Sequence, residues 1–238
     1  MLILALDSST GVVTVAVAHA GQDAPDDGRE LLAEISIPSR GASETLLPAA
    51  HAALNLAGTH LSEIDYILAG VGPGTFTGIR IALSTARALA LATGAALARN
   101  STLNALAAPV SLDARDPDVL AVLDAKRRQV FAQLFASDGP RGEILCAAPG
   151  ELAVQLLVRE ESREKDMLLV GDGAVRYREA LSGLGRIPAD ASPLHRVTAT
   201  GHVLSAELAP VPAREVVPLY VREPDAEVRR DLNPWSRS

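Results

Sequence analysis

The chain has 238 residues, a formal net charge of −7, 48% hydrophobic residues and only 3% aromatic ones. That length holds one large domain or two small ones around a buried core. The acidic balance, −4 over residues 1–100 and −3 over the rest, excludes a basic nucleic-acid-binding module standing alone. Scarce aromatics weigh against base-stacking surfaces, and a lone cysteine, Cys146, excludes an internal disulfide and any cysteine-built zinc site.

Residues 1–7 begin with no basic lead and reach an aspartate after six residues, so they read as a buried strand and not as a signal peptide. Strands follow over 11–18 and 31–37, around an acidic turn at 21–29. Next come a helix over 43–57, a strand over 64–71, a helix over 76–93, a strand over 95–99 and a helix over 101–109, giving the order βββαβαβα. Arg80 and Arg87 interrupt the alanine-rich helix, so no membrane span is expected and a cytoplasmic location is the default. After the turn-rich residues 113–117, strands are expected over 118–123, 129–136, 142–147 and 167–170, with helices over 149–159, 174–184 and 198–208. The second half nearly repeats the first. The expected organisation is two lobes, 1–110 and 111–221, followed by a charged tail, 222–238, in which Trp235 is a candidate anchor.

The most informative stretch is Gly70-Val71-Gly72-Pro73-Gly74-Thr75-Phe76-Thr77-Gly78-Ile79-Arg80, where an apolar strand ends in clustered glycines and a helix starts at once. Free amides at such a helix start can receive an anion, with Thr75 or Thr77 as the cap; a tight turn before a buried helix reads equally well. The pattern is neither a Walker A loop nor a dinucleotide fingerprint. Gly171-Asp172-Gly173 repeats it in reduced form. Asp7-Ser8-Ser9-Thr10-Gly11 lies at the first hairpin, where Asp7 is positioned to hold magnesium or orient water and Ser9 and Thr10 to approach phosphate; a plain hairpin turn is the alternative. Asp7, Ser9, Thr10, Gly72, Gly74, Thr75, Gly171, Asp172 and Gly173 are therefore the candidate phosphate-site residues. In the matching hairpin of the second half stands the basic, glycine-free turn Lys126-Arg127-Arg128, a solvated turn or a contact for an RNA backbone or for a nucleotide bound by a partner.

None of the five histidines, His19, His51, His60, His195 and His202, shows metal-site spacing, so surface or interface positions are expected and no metal is assigned. No serine sits in a nucleophile elbow. Helix 43–57 carries Leu46, Leu47, Ala50 and Leu54 on one side. Helix 76–93 carries Ala82, Ala86 and Ala90 for close packing, so part of this wide apolar arc is available to another subunit.

The element order resembles the sugar kinase/Hsp70/actin superfamily, an α/β fold of two duplicated RNase H-like βββαβαβα lobes. More narrowly, the chain resembles the TsaB family, bacterial proteins required for threonylcarbamoyladenosine formation in tRNA. The resemblance covers residue 1 to about 222. It rests on Leu6-Asp7-Ser8-Ser9, Ser43-Glu44 with Leu46-Leu47-Pro48, the loop from Gly72 to Arg80, Leu123-Asp124-Ala125, Gly171-Asp172-Gly173 and Pro218-Leu219-Tyr220-Val221-Arg222. It implies a degenerate, non-catalytic paralogue of TsaD that pairs with TsaD through Leu46, Leu47, Ala50, Leu54, Arg80, Leu83 and Arg87. It further implies work with the ATPase TsaE, tRNA reached through the complex, and a homodimer when alone. No tightly bound cofactor is implied, with ATP and magnesium entering at the level of the complex. The position before Ser43-Glu44, usually histidine in that family, is Ala42. The competing reading is an ATP-dependent transferase or ATPase active on its own; a metallopeptidase has support only from old naming of the wider family.

Overall fold

The computed structural model describes residues 1–21, 28–38, 41–110, 118–159 and 167–222. Most of the acidic turn, the turn at 113–117 and the tail beyond Arg222, including Trp235, lie outside the described residues.

Two sheets share one strand order. The first comprises β1 (Leu2–Asp7), β2 (Val12–Ala20), β3 (Arg29–Pro38), β4 (Tyr66–Gly70) and β5 (Ala96–Asn100), arranged β3-β2-β1-β4-β5. The second comprises β6 (Asp118–Lys126), β7 (Gln129–Ala136), β8 (Gly139–Ala147) and β9 (Met167–Val170), arranged β8-β7-β6-β9. In each, three strands form an antiparallel meander and the fourth joins the first in parallel. Among the described residues the second sheet has no counterpart of β5; Arg186 reaches β9 in a parallel bridge to Leu168.

The helices are α1 (Ala42–Leu56), α2 (Phe76–Thr93), α3 (Thr102–Ala107), α4 (Pro149–Arg159), α5 (Asp172–Arg176), α6 (Arg178–Leu181) and α7 (Ala199–Ser205). The single helix expected over 174–184 is instead α5, α6 and a 3-10 turn at Ser182–Leu184. Tyr177 leaves the helical region at φ −115° and ψ 30°, which breaks the run.

Strand alternation sorts the core. Leu4, Leu6, Val15 and Ile67 of the first sheet face α1 and α2, while Ile3, Ala5, Ala16, Ala18 and Ala98 face α7. Val119, Ala121 and Leu123 of the second sheet face α3, while Leu120, Val122 and Leu169 face α4, α5 and α6. The short helix that closes each half therefore packs on the other half's sheet, and α3 and α7 cross between the sheets. Gly201 makes the crossing possible, since a Cβ there would stand 2.1 Å from the Ala105 carbonyl oxygen. Burial of Leu103, Leu106 and Val203 at this junction contributes about 1.5–3 kcal/mol each.

Candidate functional site

Asp7 ends β1 beside Gly70, where an added Cβ would stand 2.3 Å from Asp7 Oδ2. The residue is 1% exposed. Its carboxylate accepts hydrogen bonds from the Ser9 amide (2.5 Å), the Thr102 hydroxyl (3.2 Å) and His202 Nε2 (2.7 Å). Burial pushes the Asp7 carboxyl up, but the hydrogen bond and charge of His202, helped by Ser9, outweigh it and hold the group below its ordinary value. The ionised carboxylate has no proton to give, so Nε2 carries the hydrogen. His202 Nδ1 is buried without a hydrogen-bond partner among the described residues. Asp7 and Ser9, candidates for magnesium and phosphate, are thus buried in a network of the protein's own hydrogen bonds. His202 and His195, expected at a surface or interface, are both buried. His195 Nδ1 accepts from the Gly171 amide at 3.2 Å.

The glycine loop is packed on this turn. A Cβ at Gly74 would stand 2.2 Å from the Ser9 carbonyl oxygen, and one at Gly78 would stand 1.9 Å from that of Ser8. The Thr75 amide donates to the Ser9 carbonyl (2.6 Å), and the Ser8 hydroxyl donates to the Gly78 carbonyl (2.8 Å). The Ser9 carbonyl thus takes the Thr75 amide at the N-cap of α2. Thr75 holds the N-cap position without a side-chain capping bond. Gly72 takes φ +100°, and its carbonyl accepts from the Thr102 amide. Thr10 is a turn residue whose hydroxyl accepts from the Val12 amide. Of the nine phosphate-site candidates, only Gly74 and Thr75 line the cleft described below.

The second half repeats this closure. Cβ atoms at Gly171 and Gly173 would meet the backbone of Val122 and Leu123. The Asp172 carboxyl turns inward to accept from the Asp124 amide at 2.9 Å. It lies above its ordinary value because of burial first and the Asp124 charge after, opposed by that amide. Burial also raises Asp124, but Lys126 (2.9 Å) and Arg176 (3.7 Å) hold it below the usual carboxylate range.

Lys126, Arg127 and Arg128 all take positive φ, at 62°, 51° and 60°. A two-residue hairpin needs left-handed residues at its centre and favours Asn-Gly; arginine there is strained by about 1 kcal/mol or more per residue. Arg128→Gly is therefore expected to raise stability by about 1 kcal/mol. Urea unfolding checks this, and a lower midpoint would show that the turn is not strained.

Between the two turns opens a cleft of about 550 Å³, walled by Pro73 to Phe76, by Asp124 to Arg127 with Phe131, and by Leu219 to Arg222. The last segment is a strap. Arg99 and Arg87 donate to the carbonyls of Glu215 and Val216, the Leu219 amide to that of Val71, and Arg222 to Ala125 O and Gln129 Oε1. Tyr220 stacks on Phe76 with ring centres 5.4 Å apart, and Arg80 lies 3.7 Å over the Phe76 ring while donating Nε–H to the Tyr220 hydroxyl. Nothing in the spacing of Phe76 and Tyr220, 144 positions apart, announces their meeting; the Pro218-to-Arg222 motif is the only trace of it in the sequence.

Of the expected interface residues, Leu46, Ala50, Leu54 and Leu83 are buried in the core against the first sheet. This corrects their assignment, because the helices bury the faces that carry them. Arg87 is half-buried under the strap, whereas Leu47, 53% exposed, and Arg80 stand outside. Among the described residues no three metal-ligating side chains converge, and no helix is long and apolar enough to cross a membrane.

The family model for TsaD, tRNA N6-adenosine threonylcarbamoyltransferase, matches residues 36–155. The tRNA threonylcarbamoyladenosine biosynthesis protein TsaB of Escherichia coli is 31% identical over 138 residues, 58% of this chain and 56% of that protein. The structure of YeaZ from Pseudomonas aeruginosa superposes with a TM-score of 0.71 at 26% identity, covering 92% of this chain and 99% of that one. Component A of the Acidaminococcus fermentans (R)-2-hydroxyglutaryl-CoA dehydratase shares the two-lobed α/β fold, with a TM-score of 0.50 at 12% identity over 87% of this chain and 96% of that one. By sequence and fold the chain belongs to the TsaD family of tRNA N6-adenosine threonylcarbamoyltransferases, and within it to the TsaB group.

Proposed function

We propose that the chain is a non-catalytic partner subunit of the bacterial complex that transfers a threonylcarbamoyl group to adenosine 37 of tRNA. In this reading it pairs with TsaD, works with the ATPase TsaE and forms a homodimer when alone, with residues 1–110 and 111–221 as its two lobes. The closed first turn carries the reading. Asp7, the carboxylate best placed for phosphate chemistry, is buried and hydrogen-bonded to His202, which supports a structural role for it. The exposed outer faces of α1 and α2, with Leu47, Leu56 and Leu91, support a partner role. ATP and magnesium belong to the complex in this scheme.

Reconstitution of the modification with TsaD, TsaE and the carbamoyl-adenylate-forming enzyme tests it. Omitting this chain is expected to abolish tRNA modification; full-rate modification without it overturns the proposal. Leu47→Asp alters an exposed side chain and is expected to weaken association with TsaD at least tenfold, as for a residue central to an interface. Isothermal titration measures this, and an unchanged dissociation constant moves the interface elsewhere. Magnesium ATP hydrolysed by the isolated chain, with turnover lost in an Asp7→Asn variant that keeps the wild-type circular dichroism, would favour the independent ATPase instead.

A further inference from the structure

The cleft between the two turns is absorbed by neither the closed phosphate sites nor the helix face. Its walls combine two groups that the sequence holds far apart. One is a run of cations: Lys126 and Arg127 in the lining, Arg128 next in the chain, and Arg222 held to the turn's strands through Ala125 and Gln129. The other is the Phe76–Tyr220 stack with Arg80 laid on it, the two residues being 41% and 39% exposed. The carboxylate lining the cleft, Asp124, is neutralised by Lys126 and Arg176 and is almost fully covered. A volume of about 550 Å³ suits a ring system of nucleoside size.

We infer that this cleft binds single-stranded RNA, the basic turn taking backbone phosphates and the aromatic pair taking one unstacked base. The inference rests on the reading above that the chain serves a tRNA-modifying complex, and it names the surface of this subunit that touches the RNA. Three considerations select this ligand. Basic side chains on three successive residues, of which Lys126 is also paired with Asp124, spread positive charge over more than one phosphate spacing, which suits a strand better than a free mononucleotide. A partly exposed aromatic pair offers a π-face that a base uses and an acidic peptide does not. The turn keeps two arginines in a left-handed conformation that Asn-Gly would hold at lower cost, as strained positions at binding sites do. Composition alone weighs against base stacking, yet three of the few aromatic residues, Phe76, Phe131 and Tyr220, line this one cleft. The net charge of −7 means that binding by the isolated chain is weak and sensitive to salt.

Fluorescence polarisation of labelled RNA with the full-length chain at low salt tests the inference, using a single strand and the matching duplex. The single strand is expected to bind more tightly than the duplex. Arg127→Glu with Arg128→Glu should weaken binding about tenfold or more and flatten its salt dependence. Tyr220→Ala should weaken single-strand binding about fivefold or more and leave the duplex unchanged. Circular dichroism verifies folding of each variant; should the double charge reversal not fold, Arg127→Gln with Arg128→Gly replaces it, with the same direction expected. No single-strand binding, equal binding of duplex unaffected by Tyr220→Ala, or preferential binding of ATP or of polyglutamate each overturns the inference. The two proposals fail separately. A chain required in the reconstituted reaction but blind to RNA removes the cleft assignment alone, whereas one that binds RNA in this cleft but is dispensable for modification removes the subunit role alone.

Discussion

Asp7→Ala is expected to cost about 3–5 kcal/mol of folding stability, enough to unfold much of the population at growth temperature. The substitution removes the acceptor for three buried donors at once: the Ser9 amide, the Thr102 hydroxyl and His202 Nε2. Each donor is then stranded without water, since Ser9, Thr102 and His202 are all buried. Asp7→Asn keeps the shape and one acceptor and should lose less. The pH dependence has a definite sign. The folded pKa of Asp7 lies below its ordinary value of 3.8, so the stabilisation is complete above that value and falls away as pH drops through the folded pKa. Urea unfolding of the wild type and Asp7→Asn should therefore differ by a steady amount above about pH 4 and converge only as pH falls further, through the folded pKa. A double-mutant cycle with His202→Leu completes the test. The double variant should lose less than the sum of the singles, because the stranded imidazole is gone; additive losses would show that the two groups are not coupled.

Gly78→Ala is expected to destabilise by about 3 kcal/mol, although alanine is intrinsically the better helix former by about 1 kcal/mol. The added methyl would stand 1.9 Å from the Ser8 carbonyl oxygen and 2.6 Å from Thr75 Oγ1, so the start of α2 must lift from the first turn. Lifting stretches the Thr75 amide to Ser9 carbonyl bond and the Ser8 hydroxyl to Gly78 carbonyl bond together. Gly150→Ala is the control. It also lies in a helix, but nothing stands within 4 Å of its Cβ position, so it should be neutral or slightly stabilising. Thermal melts of the two variants should diverge; equal melting temperatures would mean that α2 does not rest on the turn.

Periodicity was sufficient to place most elements. The α2 and α4 ranges and the β7 and β9 ranges agree end to end, because each is a long or strongly apolar run bounded by glycine, proline or a polar turn. The expected helix at 174–184 was not legible as broken, since its apolar residues keep helical spacing through Tyr177 and only tertiary contacts take the chain out of that conformation. The glycines at 72–78 and 171–173 were visible as positions needing close approach. Which atoms approach was not: in the fold they include the carbonyls of Ser8, Ser9 and Val122. The leucines of α1 looked equivalent on the helix, yet Leu46 faces the sheet and Leu47 faces out, a difference that one step of rotation decides.

Sequence alone determined the α/β alternation, the duplication and the positions of both tight turns, since these follow from local periodicity and from residues with few backbone options. The tertiary structure alone decided that α3 and α7 exchange sheets, that His202 closes Asp7 from solvent, and that Phe76, Tyr220 and the 126–128 turn share one cleft. Such contacts join residues 50 to 200 positions apart, and their free energy depends on which surfaces meet, a quantity that no local pattern encodes.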